Sequence, residues 1–122
     1  NMTDPLPWQV VSGREGLQAA LASADGPAII YLTADWCLTC RTIERRVLPD
    51  ADVVAALEPM HRIKLDLTDF DTEDQALLAI LGAAGPPTMI FLDADRREQP
   101  ETRLVGDTRR GPLLRAARLV AP

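Results

Sequence analysis

Cys37 and Cys40 are the only cysteines in 122 residues, and they stand two residues apart in the stretch "LTADWCLTCR" at 32–41. That spacing suits a metal clip, a structural crosslink or a working redox couple. A structural zinc needs four ligands, yet beyond this pair the chain offers one histidine, His61, in a segment that alternates like a strand. A c-type haem needs histidine directly after the second cysteine, where this sequence has Arg41. A crosslink closing so short a loop removes little entropy from the unfolded chain, and disulfide scaffolds carry more cysteines at wider spacing. The redox couple is the strongest of the three readings. An inert pair, or a module that holds soft copper(I) on its thiolates, stays open beside it.

The couple is only useful if the elements around it set its reactivity. The apolar run "AIIYL" at 28–32 has β-branched and aromatic members and no polar alternation, which predicts a strand covered on both faces. From Cys37 the pattern turns helical, with Cys40, Ile43, Glu44 and Val47 on one stripe. Handing a strand over to a helix at Cys37 places the first sulfur beside unpaired N–H groups and the positive end of the helix dipole. In such motifs a thiol pKa falls from about 8.5 to between about 3.5 and 7.5. Cys37 is then the nucleophile, and Cys40, one turn further in, is placed to resolve a mixed disulfide.

The other elements follow from periodicity and punctuation. Residues 8–11 form a short strand; Ser12 is a candidate cap for a helix that turns Leu17, Ala20, Leu21 and Ala24 inward and stops at Gly26-Pro27. Pro49 interrupts the cysteine helix, and a second helical piece covers 52–57. Residues 61–67 alternate as a strand, and 72–81 read as a helix with Leu77, Ile80 and Leu81 inward, closed by Gly82. A turn at Gly85, Pro86 and Pro87 opens a strand at 88–92, 102–105 can pair back as a hairpin, and 108–120 make a last helix. The order β-α-β-α-β-α-β-β-α predicts one α/β domain over 1–122, a mixed sheet with helices on both faces.

Composition excludes several classes. The net charge is −5 and Lys64 is the only lysine, so there is no basic field to gather phosphates, and nucleic acid is not an expected partner. The longest nearly uncharged apolar stretch, 26–34, falls far short of the roughly 20 residues a membrane helix needs. Residues 1–10 lack the basic start and apolar centre of a signal peptide, which leaves a cytosolic protein or a piece of a longer exported or membrane-anchored chain. Asp66, Asp69, Asp71, Glu73 and Asp74 lack the glycine and spacing of a calcium loop and read as charge at a helix start; Asp93 and Asp95, followed by Arg96 and Arg97, read as a turn. There is no glycine-rich phosphate loop, and a single histidine supports no Ser-His-Asp set.

"ADWCLTCR", joined to "GPPT" roughly fifty residues later, resembles the thioredoxin superfamily; within it, "YLTADWCLTCRTIE" is most similar to the C-terminal domain of DsbD-type transmembrane thiol:disulfide interchange proteins. The resemblance implies a three-layer thioredoxin-like fold of about five strands and about four helices, excised from a longer chain. It implies a protein-disulfide reductase on the periplasmic side of a bacterial inner membrane, with a membrane-embedded donor domain and thiol/disulfide partner proteins. No cofactor is implied beyond the Cys37–Cys40 disulfide, and the isolated domain is expected to be a monomer. A free-standing cytosolic thioredoxin is the other member reading.

The resemblance also assigns residues. Pro87 becomes a cis-proline facing the cysteines, and Pro86, which has no N–H, offers its carbonyl to an extended substrate. Trp36 shapes docking, while Asp35 and Arg41 tune the local field. Glu44 becomes a carboxylate beside the redox pair, one that raises a thiol pKa by like-charge repulsion and carries protons. Members of the family usually place a second buried acid on the strand six residues before the first cysteine. This chain has Tyr31 there, which removes a proton acceptor; the residue reads as core, or with Asp35 and Arg41 as one that tunes the site.

Overall fold

Every residue of β2 (Ala28–Thr33) is buried, as a run without polar alternation requires. In the computed structural model, which describes residues 1–122, β2 is the middle strand of a five-stranded sheet ordered β1-β3-β2-β4-β5. Its neighbours are β3 (His61–Asp66), which runs parallel to it, and β4 (Thr88–Leu92), which runs antiparallel. The edges are β1 (Gln9–Val11), parallel to β3, and β5 (Leu104–Val105), antiparallel to β4. The mixed sheet and the element order match the pattern expected from the sequence.

Five helices cover the sheet: α1 (Gly13–Ser23), α2 (Leu38–Arg46), α3 (Ala51–Leu57), α4 (Thr72–Leu81) and α5 (Arg110–Val120). α1 packs against α4 and α3 against α5, giving the two outer layers. The count exceeds the expected four because the break at Pro49 separates α2 fully from α3. Asp50 makes that break productive, accepting hydrogen bonds from the N–H groups of Asp52 (3.0 Å) and Val53 (3.2 Å) to cap α3. Asp71 caps α4 in the same way, accepting from the Asp74 N–H at 2.8 Å.

Two local expectations are corrected. Ile80 points outward and is 61% exposed; the buried face of α4 is Asp74, Leu77 and Leu78. That stripe begins on an acidic residue, so a search for apolar periodicity misses its first member and rotates the face. Ser12 makes no side-chain cap on α1. Instead Gly13 turns with φ +73, and the Glu73 carboxylate lies so close over it that a Cβ would collide.

Three arginines close helix C-termini, Arg62 from a few residues away and the other two from remote positions. Arg62 donates from Nη1 to the carbonyls of Leu57 (2.9 Å), Glu58 (2.9 Å) and Met60 (2.7 Å), at the end of α3. Arg96 reaches back to the carbonyls of Leu21, Ala24 and Gly26 at the end of α1. Arg103 donates to the Leu81 carbonyl at 2.7 Å, ending α4, and forks onto Glu98 at 2.8 Å. Each supplies donors to carbonyls at or just past a helix end and a cation to the negative end of a dipole. Arg62→Met keeps most of the side-chain bulk but leaves the Glu58 and Met60 carbonyls without donors, and should lower stability by about 1–3 kcal/mol in urea unfolding. An unchanged midpoint would show that water serves them equally well.

Candidate redox site

β2 ends at Thr33, and four residues later the chain enters α2 with Cys37 as N-cap. The Cys37 sulfur accepts a hydrogen bond from the Cys40 N–H at 3.1 Å, so the sulfur takes the role that a serine or aspartate oxygen usually plays at a helix start. It is bonded to the Cys40 sulfur, with the two Cα atoms 5.2 Å apart. Cys37 retains 7% exposure and Cys40 none, so a partner can reach only the first sulfur. No acidic residue occupies the first turn of α2 to oppose a thiolate at Cys37.

The short loop between β2 and α2 is pinned by Thr68, a residue the sequence pattern did not single out. Thr68 Oγ1 accepts from the Asp35 N–H at 3.0 Å, and its carbonyl accepts from Trp36 Nε1 at 2.9 Å. Asp66 fixes Thr68 in turn, accepting from both its N–H and its hydroxyl. Trp36 is thereby held half out in solvent, edge-on to Phe70 with ring centroids 6.0 Å apart.

Trp36, Phe70, Ala84, Gly85, Pro86, Pro87, Val105 and Gly106 line one shallow groove. The Pro86–Pro87 peptide is cis. The Pro87 carbonyl accepts from the Gly106 N–H at 3.0 Å, and Thr88 Oγ1 donates to the Gly85 carbonyl at 2.7 Å, which fixes the turn. The Pro86 carbonyl accepts nothing within the chain. Leu38 and Val105, at 83% and 70% exposure, extend the apolar surface around the cysteines.

On the inner side, Glu44 lies one helical turn beyond Cys40. Its Oε2 accepts from Arg41 Nη2 at 2.7 Å, Tyr31 OH at 3.0 Å and Thr33 Oγ1 at 3.2 Å. Burial pushes this carboxyl upward, but the bonds from Arg41 and Tyr31 and the Arg41 charge outweigh it, leaving Glu44 below the usual carboxylate range. Burial raises the Tyr31 phenol well above its ordinary value, and the neighbouring Glu44 charge adds to this. Tyr31 is therefore more than core: its hydroxyl also lies 3.3 Å from the Cys40 carbonyl and links that turn of helix to Glu44. Asp35 is peripheral, its side chain 86% exposed and 3.8 Å from Arg41. His61 pairs in register with Ala28, at the end of β2 away from the cysteines, and hydrogen-bonds Gln9 at 2.8 Å. No three or more histidine, cysteine, aspartate or glutamate side chains converge as a metal-binding group.

A family model described as thioredoxin-like matches residues 13–94. Among curated proteins, the chain is 38% identical over 102 residues to the thiol:disulfide interchange protein DsbD of Klebsiella pneumoniae, covering 83% of this chain and 17% of that protein. It is 37% identical over 102 residues to DsbD of Yersinia enterocolitica, covering 83% and 18%. The chain thus spans less than a fifth of these relatives. Among solved structures, the oxidised DsbD c-terminal domain of Neisseria meningitidis superposes with TM-score 0.75 at 23% identity, covering 91% of this chain and 98% of that one. A thioredoxin from Thermus thermophilus superposes with TM-score 0.67 at 23% identity, covering 94% and 88%. Both share the fold.

The exposure difference between the sulfurs predicts selective alkylation. After reduction, iodoacetamide at neutral pH should label Cys37 and leave Cys40 unmodified, read by peptide mass spectrometry; equal labelling would refute the buried placement of Cys40. Because Glu44 is held below the usual carboxylate range, it stabilises the fold at pH values above that range, and the contribution is lost as the pH falls through the lowered value. Wild type should therefore lose more stability than Glu44→Gln between neutral pH and about pH 3. Parallel losses in urea unfolding would count against the network.

Proposed function

Because the chain belongs to the thioredoxin-like family, we propose that it is a thiol–disulfide oxidoreductase passing electron pairs between proteins through Cys37 and Cys40. The observation that carries this reading is the asymmetry of the pair: one sulfur at a helix N-cap within reach of a partner, the other fully buried one turn below. In the reduced protein the Cys37 thiolate attacks one sulfur of a partner disulfide. A Cys37–partner disulfide forms, and the partner's second sulfur leaves and takes up a proton. Cys40 then gives up its proton and attacks the Cys37 sulfur, closing the Cys37–Cys40 disulfide and expelling the partner's first sulfur as a thiol. Two electrons have passed to the partner, and a dithiol donor restores the pair by the same steps in reverse.

The groove suits a partner segment in extended form. The free Pro86 carbonyl supplies a backbone acceptor, Pro87 shapes the wall, and Trp36 and Phe70 offer apolar area beside the reacting sulfur. Leu38 and Thr39, between the cysteines, add no cation to stabilise the Cys37 thiolate beyond what the helix end provides. A strongly stabilised reduced form is what makes a dithiol an oxidant, so the plain Leu-Thr pair supports work in the reducing direction. The relatives named DsbD are far longer than this chain. Their length supports a role as one domain of a larger protein, and the resemblance to DsbD-type proteins supports reading it as part of a relay on the periplasmic face of a membrane, fed by a membrane-embedded donor domain. No helix here is long and apolar enough to cross a membrane itself. The domain is read as acting as a monomer, without nucleic acid and without a cofactor other than its own disulfide.

The reduction potential tests both activity and direction. Titrated against dithiothreitol or glutathione, with Cys37→Ser as control, the pair should fall between roughly −270 mV, as in thioredoxin, and roughly −200 mV, as in glutaredoxins. A value near roughly −120 mV would reverse the direction. Failure to exchange with any test disulfide would sink the reading altogether.

A further inference from the structure

Glu44 does not meet the cysteines as a free anion. Its three donors converge on a single oxygen, and the shortest contact, 2.7 Å, comes from the guanidinium of Arg41. Arg41 directly follows Cys40, and Glu44 comes three residues after it, so the two charges meet across one turn of α2. The same guanidinium reaches the Thr33 hydroxyl at 3.3 Å and the Asp35 carbonyl at 3.1 Å, tying the end of β2 and the loop to the helix. Its Nε–H is buried without an acceptor. Arg41 therefore keeps a conformation that satisfies Glu44 and the loop while leaving one of its own donors unpaired, which is costly for a buried group.

We propose that Arg41 is a positioning residue for the exchange reaction: it neutralises Glu44 and holds it against Tyr31 and Thr33, so that Cys40 works one turn from a closed ion pair rather than from a bare carboxylate. The proposal rests on the exchange reading above and names what tunes that site. An unpaired carboxylate one turn below Cys40 would resist thiolate formation in the pair by like-charge repulsion. With Arg41 in place the two charges cancel at short range, and what reaches the sulfurs is the weaker field of a dipole. Tyr31 fits this arrangement, since a hydroxyl donates to a carboxylate that a second acid would repel. A separate cavity on this inner side is lined by Glu44 and Arg41 together with three further charged groups, Asp35 of the loop and Lys64 and Asp66 of β3. Trp8 closes the far side, edge-on to Tyr31 at 6.0 Å.

A double-mutant cycle on the reduced protein separates this from a direct effect of Arg41 on the sulfurs. Thiolate absorbance against pH reads the first thiol ionisation in wild type, Arg41→Met, Glu44→Gln and the double variant. Arg41→Met should raise that pKa by about one unit, a tenfold loss of thiolate below it. Glu44→Gln alone should move it little, and adding Glu44→Gln to Arg41→Met should return it close to the wild-type value. Arg41→Lys, which keeps the charge, should titrate like wild type. A double variant that stays with Arg41→Met would overturn the proposal, as would an unmoved Arg41→Met or an Arg41→Lys shifted as far as Arg41→Met. The titration needs no partner and no turnover, so wild-type protein that fails to exchange with disulfides would sink the functional reading and leave this one standing.

Discussion

The structure depends on a strand that has no exposed side. β2 is buried along its whole length, with β3 on one edge and β4 on the other. The chain can leave such a strand only at its ends, and at the Thr33 end it must turn at once into a helix that covers the sheet it came from. That exit fixes where chemistry can occur: outside the carboxyl end of a central parallel strand, at the start of a helix, where loop backbone is free of the ladder. Placing Cys37 at that turn gives it a helix N-terminus. Placing Cys40 three residues on sends it back toward the core. The unequal sulfurs are thus a consequence of the sheet order more than of any residue near them.

The site has two sides with different physics. Outward lies an apolar groove, where Trp36 and Phe70 meet the Pro86–Pro87 turn and backbone acceptors remain open. Inward lies a polar knot in which Arg41, Glu44, Tyr31 and Thr33 satisfy one another in partly buried surroundings. Burying a carboxylate and a guanidinium together costs desolvation that only close pairing with further hydrogen bonds can offset. The knot meets that condition at Glu44 and falls short at the Arg41 Nε. Thr68 belongs to neither side but holds the loop that joins them.

What could be read from the sequence was what repeats or is rare. Two cysteines at fixed spacing, an uninterrupted apolar run before them and a helical stripe after them place Cys37, Cys40 and Glu44 at a strand-to-helix turn; the α/β class comes from the order of elements along the whole chain, and the thioredoxin-like fold from the resemblance of "ADWCLTCR" and "GPPT". What could not be read depends on partners far apart in the chain. Thr68 touches the active loop from more than thirty residues away, and Arg96 and Arg103 close helix ends they do not adjoin. The face of α4 is hidden from apolar periodicity because Asp74 begins it, a polar residue on a buried stripe. Tyr31 read as core because its ring is apolar, while its hydroxyl finds a partner that only the packing of α2 on β2 supplies.

Tyr31 is the only tyrosine in the chain. Its phenol therefore serves as a native optical label at the point where strand and cysteine helix meet. Its ionisation is displaced above the ordinary phenol range, so the ultraviolet band of a tyrosinate develops only under strongly alkaline conditions. No tyrosinate band then rises beneath the cysteine thiolate absorbance across the range where thiols titrate. A phenol at this place thus lets the thiolate signal be followed without an overlapping tyrosinate band.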